Sequence, residues 1–188
     1  MRKRNMKTNR AFYCCLLILI SILTLGSCER DDICSLNTET TPKLILRFYD
    51  IANPDSFKNV PRFRVQGVDN TNVLADYTGN TARDSIVLPL KTNATTTQYK
   101  LHRNYSYDDN DTPDDTSDDS IGGNEDIITI SYTTETVYVS RACGYKTVYK
   151  EVEITLENDA DNWITFIQPV NETQSVEDET AAHFKIWH

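Results

Sequence analysis

The sequence predicts an all-β protein, an immunoglobulin-like antiparallel β-sandwich of about eight or nine strands with few or no helices. Three observations point there. Short runs rich in β-branched and aromatic residues recur along the chain, separated by Asn, Asp, Gly and Pro. Several of these runs alternate apolar and polar residues with a period of two, and no stretch sustains a 3.6-residue apolar period. Eight or nine such runs joined by turns suit two packed antiparallel sheets with Greek-key connections; an up-and-down barrel is the alternative.

The elements follow in order. Residues 43–50 place Leu44, Leu46 and Phe48 on one face and Ile45, Arg47 and Tyr49 on the other. In residues 62–68, Phe63, Val65 and Gly67 oppose Arg62, Arg64 and Gln66. Residues 85–90 and 97–103 come next, the latter turning Tyr99 and Leu101 inward. Residues 127–132 and 136–141 are separated only by Thr133, Thr134 and Glu135, a spacing that reads as a hairpin. Residues 148–156 and 163–170 follow. Residues 182–187 supply a last strand, with Phe184 and Ile186 opposed to His183 and Lys185.

The first residues carry an address. Arg2, Lys3, Arg4, Lys7 and Arg10 precede an apolar run over 11–25 broken only by Ser21 and Thr24, and no acid occurs before Glu29. A bilayer-spanning helix needs roughly 20 apolar residues, so this shorter run reads as an export signal. It ends Leu25-Gly26-Ser27-Cys28, which resembles the lipobox of bacterial lipoproteins. The resemblance implies removal of residues 1–27 and acylation of the Cys28 thiol, with more than one acyl chain and hence stable membrane anchoring. Residues 28–42 then form a lipidated tether, and residues 43–188 a single β-sandwich domain with an acidic loop over 104–126.

Charge and cysteine usage agree with that address. Five of the 19 basic residues and none of the 28 acidic ones precede residue 28, leaving 14 basic against 28 acidic, a net of −14. Such a balance argues against nucleic acid as a partner. Beyond Cys28 two cysteines remain, Cys34 and Cys143. In an oxidising compartment an even remainder points to a disulfide. Closing a loop of that size is worth about 4.7 kcal/mol on the chain-entropy model. Two separate buried thiols are the alternative.

Several segments together resemble a family of uncharacterised lipoproteins, a domain of unknown function, from flavobacteria and related Bacteroidota. They are Cys28-Glu29-Arg30-Asp31-Asp32-Ile33-Cys34, the run from Thr41 to Asp50, Asp84-Ser85-Ile86-Val87-Leu88-Pro89-Leu90, the run from Val139 to Lys146, and Asp161-Asn162-Trp163-Ile164. The resemblance supports the envelope address and the cysteine pair. It implies no activity.

Chemistry-bearing signals are sparse. Seven of the twelve residues from Asp108 to Asp119 are Asp. Clustered carboxylates offer the hard oxygen ligands calcium takes, which makes Asp109, Asp111, Asp114 and Asp118 its candidate ligands. The nearest loop register starts at Asp114 and puts Glu125 twelfth, but Asp119 stands where the turn needs Gly. The opposing reading is a solvated loop. Tyr105 and Tyr107 flank that loop and are candidate stacking residues for sugars, against ordinary strand packing. The three histidines, His102, His183 and His188, form no ligand spacing, and no nucleophile or metalloprotease motif occurs. The sequence therefore predicts a non-enzymatic lipoprotein of the cell envelope, an interaction or structural module without a required cofactor. Its rival is a carbohydrate- or calcium-dependent ligand binder, with an unknown envelope protein or glycan as partner. Glu29, Asp31 and Asp32, directly after Cys28, are similar to the acidic signal that sends lipoproteins of this group through the outer membrane. They favour surface exposure over a periplasm-facing anchor.

Overall fold

The computed structural model describes residues 33–38 and 40–188, and among these residues there is no helix. Ten strands follow one another: β1 (Leu44–Asp50), β2 (Asn53–Phe57), β3 (Arg64–Gly67), β4 (Val73–Thr78), β5 (Ser85–Leu88), β6 (Thr96–Asp108), β7 (Ser120–Ser140), β8 (Gly144–Leu156), β9 (Phe166–Pro169) and β10 (Phe184–Trp187). They build two five-stranded sheets. One runs β2-β1-β10-β9, with β5 also paired to β1; the other runs β4-β3-β6-β7-β8. The fold is all-β, as the alternation predicted. Residues 33–38 with Ser140–Gly144 form a small unit distinct from the larger one that holds the sheets.

Inward positions of the two sheets share one core. Leu44, Leu46 and Phe48 of β1, Ile86 and Leu88 of β5 and Phe184 and Ile186 of β10 belong to the same buried cluster as Val65, Leu101, Ile128 and Val152 of the second sheet. Phe48 meets Phe63 edge-on at 5.3 Å, and Phe63 meets Trp163 at 6.3 Å. Such ring pairs add to the area they bury.

Tyrosines of the second sheet hold the segment that follows β5. The hydroxyls of Tyr99, Tyr149 and Tyr132 donate to three successive carbonyls, Pro89, Leu90 and Lys91, the last two at 3.0 and 2.8 Å. The Lys91 amide donates to Thr97 Oγ1, which lies 2.7 Å from the Tyr132 hydroxyl, so this polar cluster satisfies itself. Burial pushes the Tyr99 hydroxyl up to about 12, which keeps it protonated and donating. At the other end of the core, the buried Asp126 carboxylate accepts the Trp163 and Ile164 amides at 3.2 and 2.8 Å, fixing the connection between β8 and β9.

The structure departs from the sequence expectation in three places. No turn occurs at 133–135: β7 continues from Ser120 to Ser140. Two threonines are stiff, strand-favouring residues, and nothing at those positions favours the positive φ of a tight hairpin. The acidic loop is confined to 109–119 rather than 104–126, because β6 and β7 extend into it, and the turn after β7 lies at 141–143, before Gly144 at φ 72°. Second, the first sheet is mixed, because β1 and β10 pair in parallel, Leu46 opposite Phe184 and Tyr49 opposite Trp187. A parallel pair needs a long crossover, and here everything between the two strands supplies it. Third, β2 and β4 raise the count to ten. β2 reads Asn-Pro-Asp-Ser-Phe, a turn-like composition held in place as a short strand beside β1.

The tyrosine contacts give a direct test. Tyr149→Phe strands the buried Leu90 carbonyl and is expected to lower unfolding free energy by about 1–3 kcal/mol. Tyr107→Phe, at the exposed end of β6, is expected to stay within about 0.5 kcal/mol. Urea titration of the two variants measures the difference.

Candidate functional site

Cys28 lies outside the described residues. Cys34 and Cys143 form a disulfide with their Cα atoms 4.8 Å apart, so the reading as separate thiols does not hold. The bond joins the segment before β1 to the turn between β7 and β8.

Asp109, Asp111, Asp114 and Asp118 are not brought together as ligands. Among the described residues no group of three or more His, Cys, Asp or Glu is arranged to hold a metal ion. The loop instead spends its carboxylates on its own chain. Asp109 accepts the Asp111 amide at 3.2 Å, and Asp118 accepts the Thr112 hydroxyl at 2.9 Å. Asp111 and Asp114 are exposed. Asp side chains that cap nearby backbone groups are ordinary turn chemistry. Glu125 is paired within β6 and β7 to Lys100 at 3.1 Å and to His102, away from any loop register. Tyr105 is no free platform either, since the Arg64 guanidinium sits 4.4 Å over its ring. The Tyr107 hydroxyl donates to Asp119 at 2.6 Å, and this bond raises it to about 12.

Two of the three histidines bond to neighbouring groups, and the third, His188, is held by ring contacts with both ring nitrogens buried and without a hydrogen-bond partner among the described residues. His102 Nε2 lies 2.5 Å from Glu125. His183 Nδ1 accepts the Ile45 amide at 3.0 Å, which leaves its Nε2 proton for the Asp178 carbonyl at 3.1 Å. His188 is buried against Phe48 and Trp163, and burial followed by the nearby Lys58 charge pulls it down to about 4.

The outer face of the mixed sheet carries the most organised surface. Pairing puts Phe57, Tyr49, Trp187 and Phe166, one from each of β2, β1, β10 and β9, in a single transverse row. Successive ring centroids are 5.2, 5.5 and 5.5 Å apart. Phe57 and Phe166, at the two ends, are 58% and 53% exposed, whereas Trp187 is buried to 8% and ties β2 down through Nε1 to the Pro54 carbonyl at 3.2 Å. Two residues back along the strands runs a polar row, Ser85, Arg47, Lys185 and Gln168. The rows are about 7 Å apart, given the rise of an extended chain. Arg47 lies 4.5 Å over the Phe57 ring and pairs with Asp84 at 3.1 Å. Lys185 lies 5.3 Å from the Tyr49 ring and makes no ion pair among the described residues. None of these eight residues is acidic.

A recess of about 450 Å³ opens between the end of β3 and the start of β6, lined by Val68, Asp69, Leu74, Leu90, Lys91 and Tyr99 among others. Its only ion pair, Lys91 with Asp69, spans 4.0 Å between exposed side chains, and the Tyr99 hydroxyl is already engaged by Pro89. The recess offers little directed chemistry.

Fold and surface together define an all-β sandwich whose most organised surface is the outer face of the mixed sheet. The chain belongs to a family of unknown function, DUF6452, whose model matches residues 62–188. No curated protein and no solved structure matches significantly.

The family match begins after β1 and β2, yet β1 pairs with β2, β5 and β10 and so forms the middle of the first sheet. A chain beginning at residue 62 would expose the inner faces of β5 and β10 and lose Phe48 from the core. It is expected to show no cooperative thermal transition, whereas a chain beginning at residue 40 retains one. Calorimetry of the two distinguishes them.

Proposed function

We propose that this protein is a non-catalytic lipoprotein of the outer membrane, held through acylated Cys28, that presents the aromatic and polar rows of its mixed sheet to a partner in the envelope. The single observation that carries the binding role is the in-register row Phe57, Tyr49, Trp187 and Phe166, half exposed at both ends. A contiguous aromatic patch left on a surface is more often an interaction site than an accident of packing. The Leu25-Gly26-Ser27-Cys28 motif supports the anchor, and the disulfide suits an oxidising compartment. Glu29, Asp31 and Asp32 support an outward-facing domain. His102 pairs with Glu125 and His183 bridges the Ile45 amide and the Asp178 carbonyl, so two of the three histidines serve the fold.

Two experiments test this reading. Cys28→Ala is expected to move the protein from the membrane to the soluble fraction and to abolish incorporation of labelled fatty acid. Unchanged membrane retention would contradict the anchor. For the binding face, Phe57→Cys is expected to resist maleimide labelling in intact envelopes and to label fully once purified. Asp115→Cys, in the acidic loop, is expected to label in both. Equal labelling of Phe57→Cys in the two settings would remove the face from consideration.

A further inference from the structure

The two rows on the mixed sheet differ in chemistry as well as in place, and together they specify what lies across them. The aromatic row offers apolar ring surface. The polar row parallel to it offers the Lys185 ammonium, the Arg47 guanidinium and the Gln168 amide. We propose that this face binds an acidic polysaccharide laid across the strands, its pyranose C–H faces against the aromatic row and its uronate carboxylates against Lys185 and Arg47. The inference rests on the binding face proposed above and adds the class of ligand.

Local charge supports it. The chain holds 28 acidic and 19 basic residues, yet the eight positions of the two rows include two cations and no acid. Arg47 is shared with Asp84 beside the row, which leaves Lys185 as the main anchor for a carboxylate. Lys185 is without an ion-pair partner among the described residues, and an unneutralised cation beside exposed rings is a ready carboxylate site. Repeating geometry supports it too. Each uronate ring presents C–H groups on a face and its hydroxyls and carboxylate at the rim, a division that the apolar and polar rows match. An extended peptide crossing the strands would set its own amides over the aromatic row, where they find no partner. An anionic membrane is the other candidate with matching sign. It is an extended plane that meets the acidic balance of the whole domain, whereas a single glycan strand senses mainly charges within a Debye length of about 8 Å.

Affinity electrophoresis of the full chain in detergent tests this, with polygalacturonate and alginate in the gel and fully methyl-esterified polygalacturonate as the uncharged counterpart. Both acidic polymers are expected to retard the wild type, and the ester to retard it much less. Phe166→Ala and Lys185→Gln are each expected to weaken retardation by about tenfold, the loss of one anchoring contact. Lys185→Arg is expected to restore it, and circular dichroism confirms that the variants fold. The proposal is overturned if neither acidic polymer retards the protein, if the ester binds equally well, or if Lys185→Gln has no effect. Flotation of the Cys28→Ala chain with phosphatidylglycerol but not phosphatidylcholine vesicles, without polysaccharide retardation, would also overturn it. If Phe57→Cys is shielded in envelopes while no polysaccharide binds, the face still has a partner and only the ligand class is wrong.

Discussion

The parallel pairing of β1 with β10 sets both faces of the first sheet at once. Leu46 opposite Phe184 and Phe48 opposite Ile186 fill the core from inside, while Arg47 opposite Lys185 and Tyr49 opposite Trp187 stand on the outside. Because side chains alternate, this single register decides which residues are buried and which are displayed. β5 and β2 then add to β1, and β9 adds to β10, so every other strand of that sheet takes its position from the pair. The cost is entropic, since strands more than 130 residues apart must meet, but loop-closure entropy grows only logarithmically with length. Buried apolar contacts on the inner face and ring contacts on the outer face offset it. Most contacts in such a fold are non-local, which places it among slow-folding topologies.

The aromatic face is a product of that register and of nothing local. Phe57, Tyr49, Trp187 and Phe166 come from four segments scattered between residues 49 and 187. Trp187 is the hinge of the arrangement, because its ring touches both Tyr49 and Phe166 while its Nε1 holds Pro54. The acidic loop, by contrast, is the most conspicuous feature of the sequence, yet in the structure its carboxylates turn to nearby amides and hydroxyls.

What was legible in the sequence follows from which forces act locally. Alternation revealed the inward faces of β1, β3, β6 and β10 correctly, since Leu44, Val65, Leu101 and Ile186 are all buried. The cysteine pair was legible from counting, because two thiols in an oxidising setting have few options. The continuity of β7 was not, since Thr133, Thr134 and Glu135 look polar and turn-like although their backbone preference is extended. Nor was β2, whose Asn, Pro and Asp argue against a strand until a free edge beside β1 supplies the hydrogen bonds. The row of rings was hidden for the strongest reason: alternation tells which face a residue takes but not which strand lies beside it, or in which direction. Tyr105 and Tyr107 were the sequence's best stacking candidates by position, and Arg64 and Asp119 already occupy them.

The central claim is therefore a register, Tyr49 beside Trp187 on the outer face with Phe166 on the far side. Nuclear Overhauser spectroscopy of the isotopically labelled protein reads it directly. The account predicts cross-peaks from the Trp187 indole to the rings of both Tyr49 and Phe166, whose centroids lie 5.5 Å away on either side. A slip of one residue would turn Trp187 inward, and cross-peaks from its indole to core residues such as Leu46 and Ile128, with none to Tyr49 or Phe166, would contradict the account.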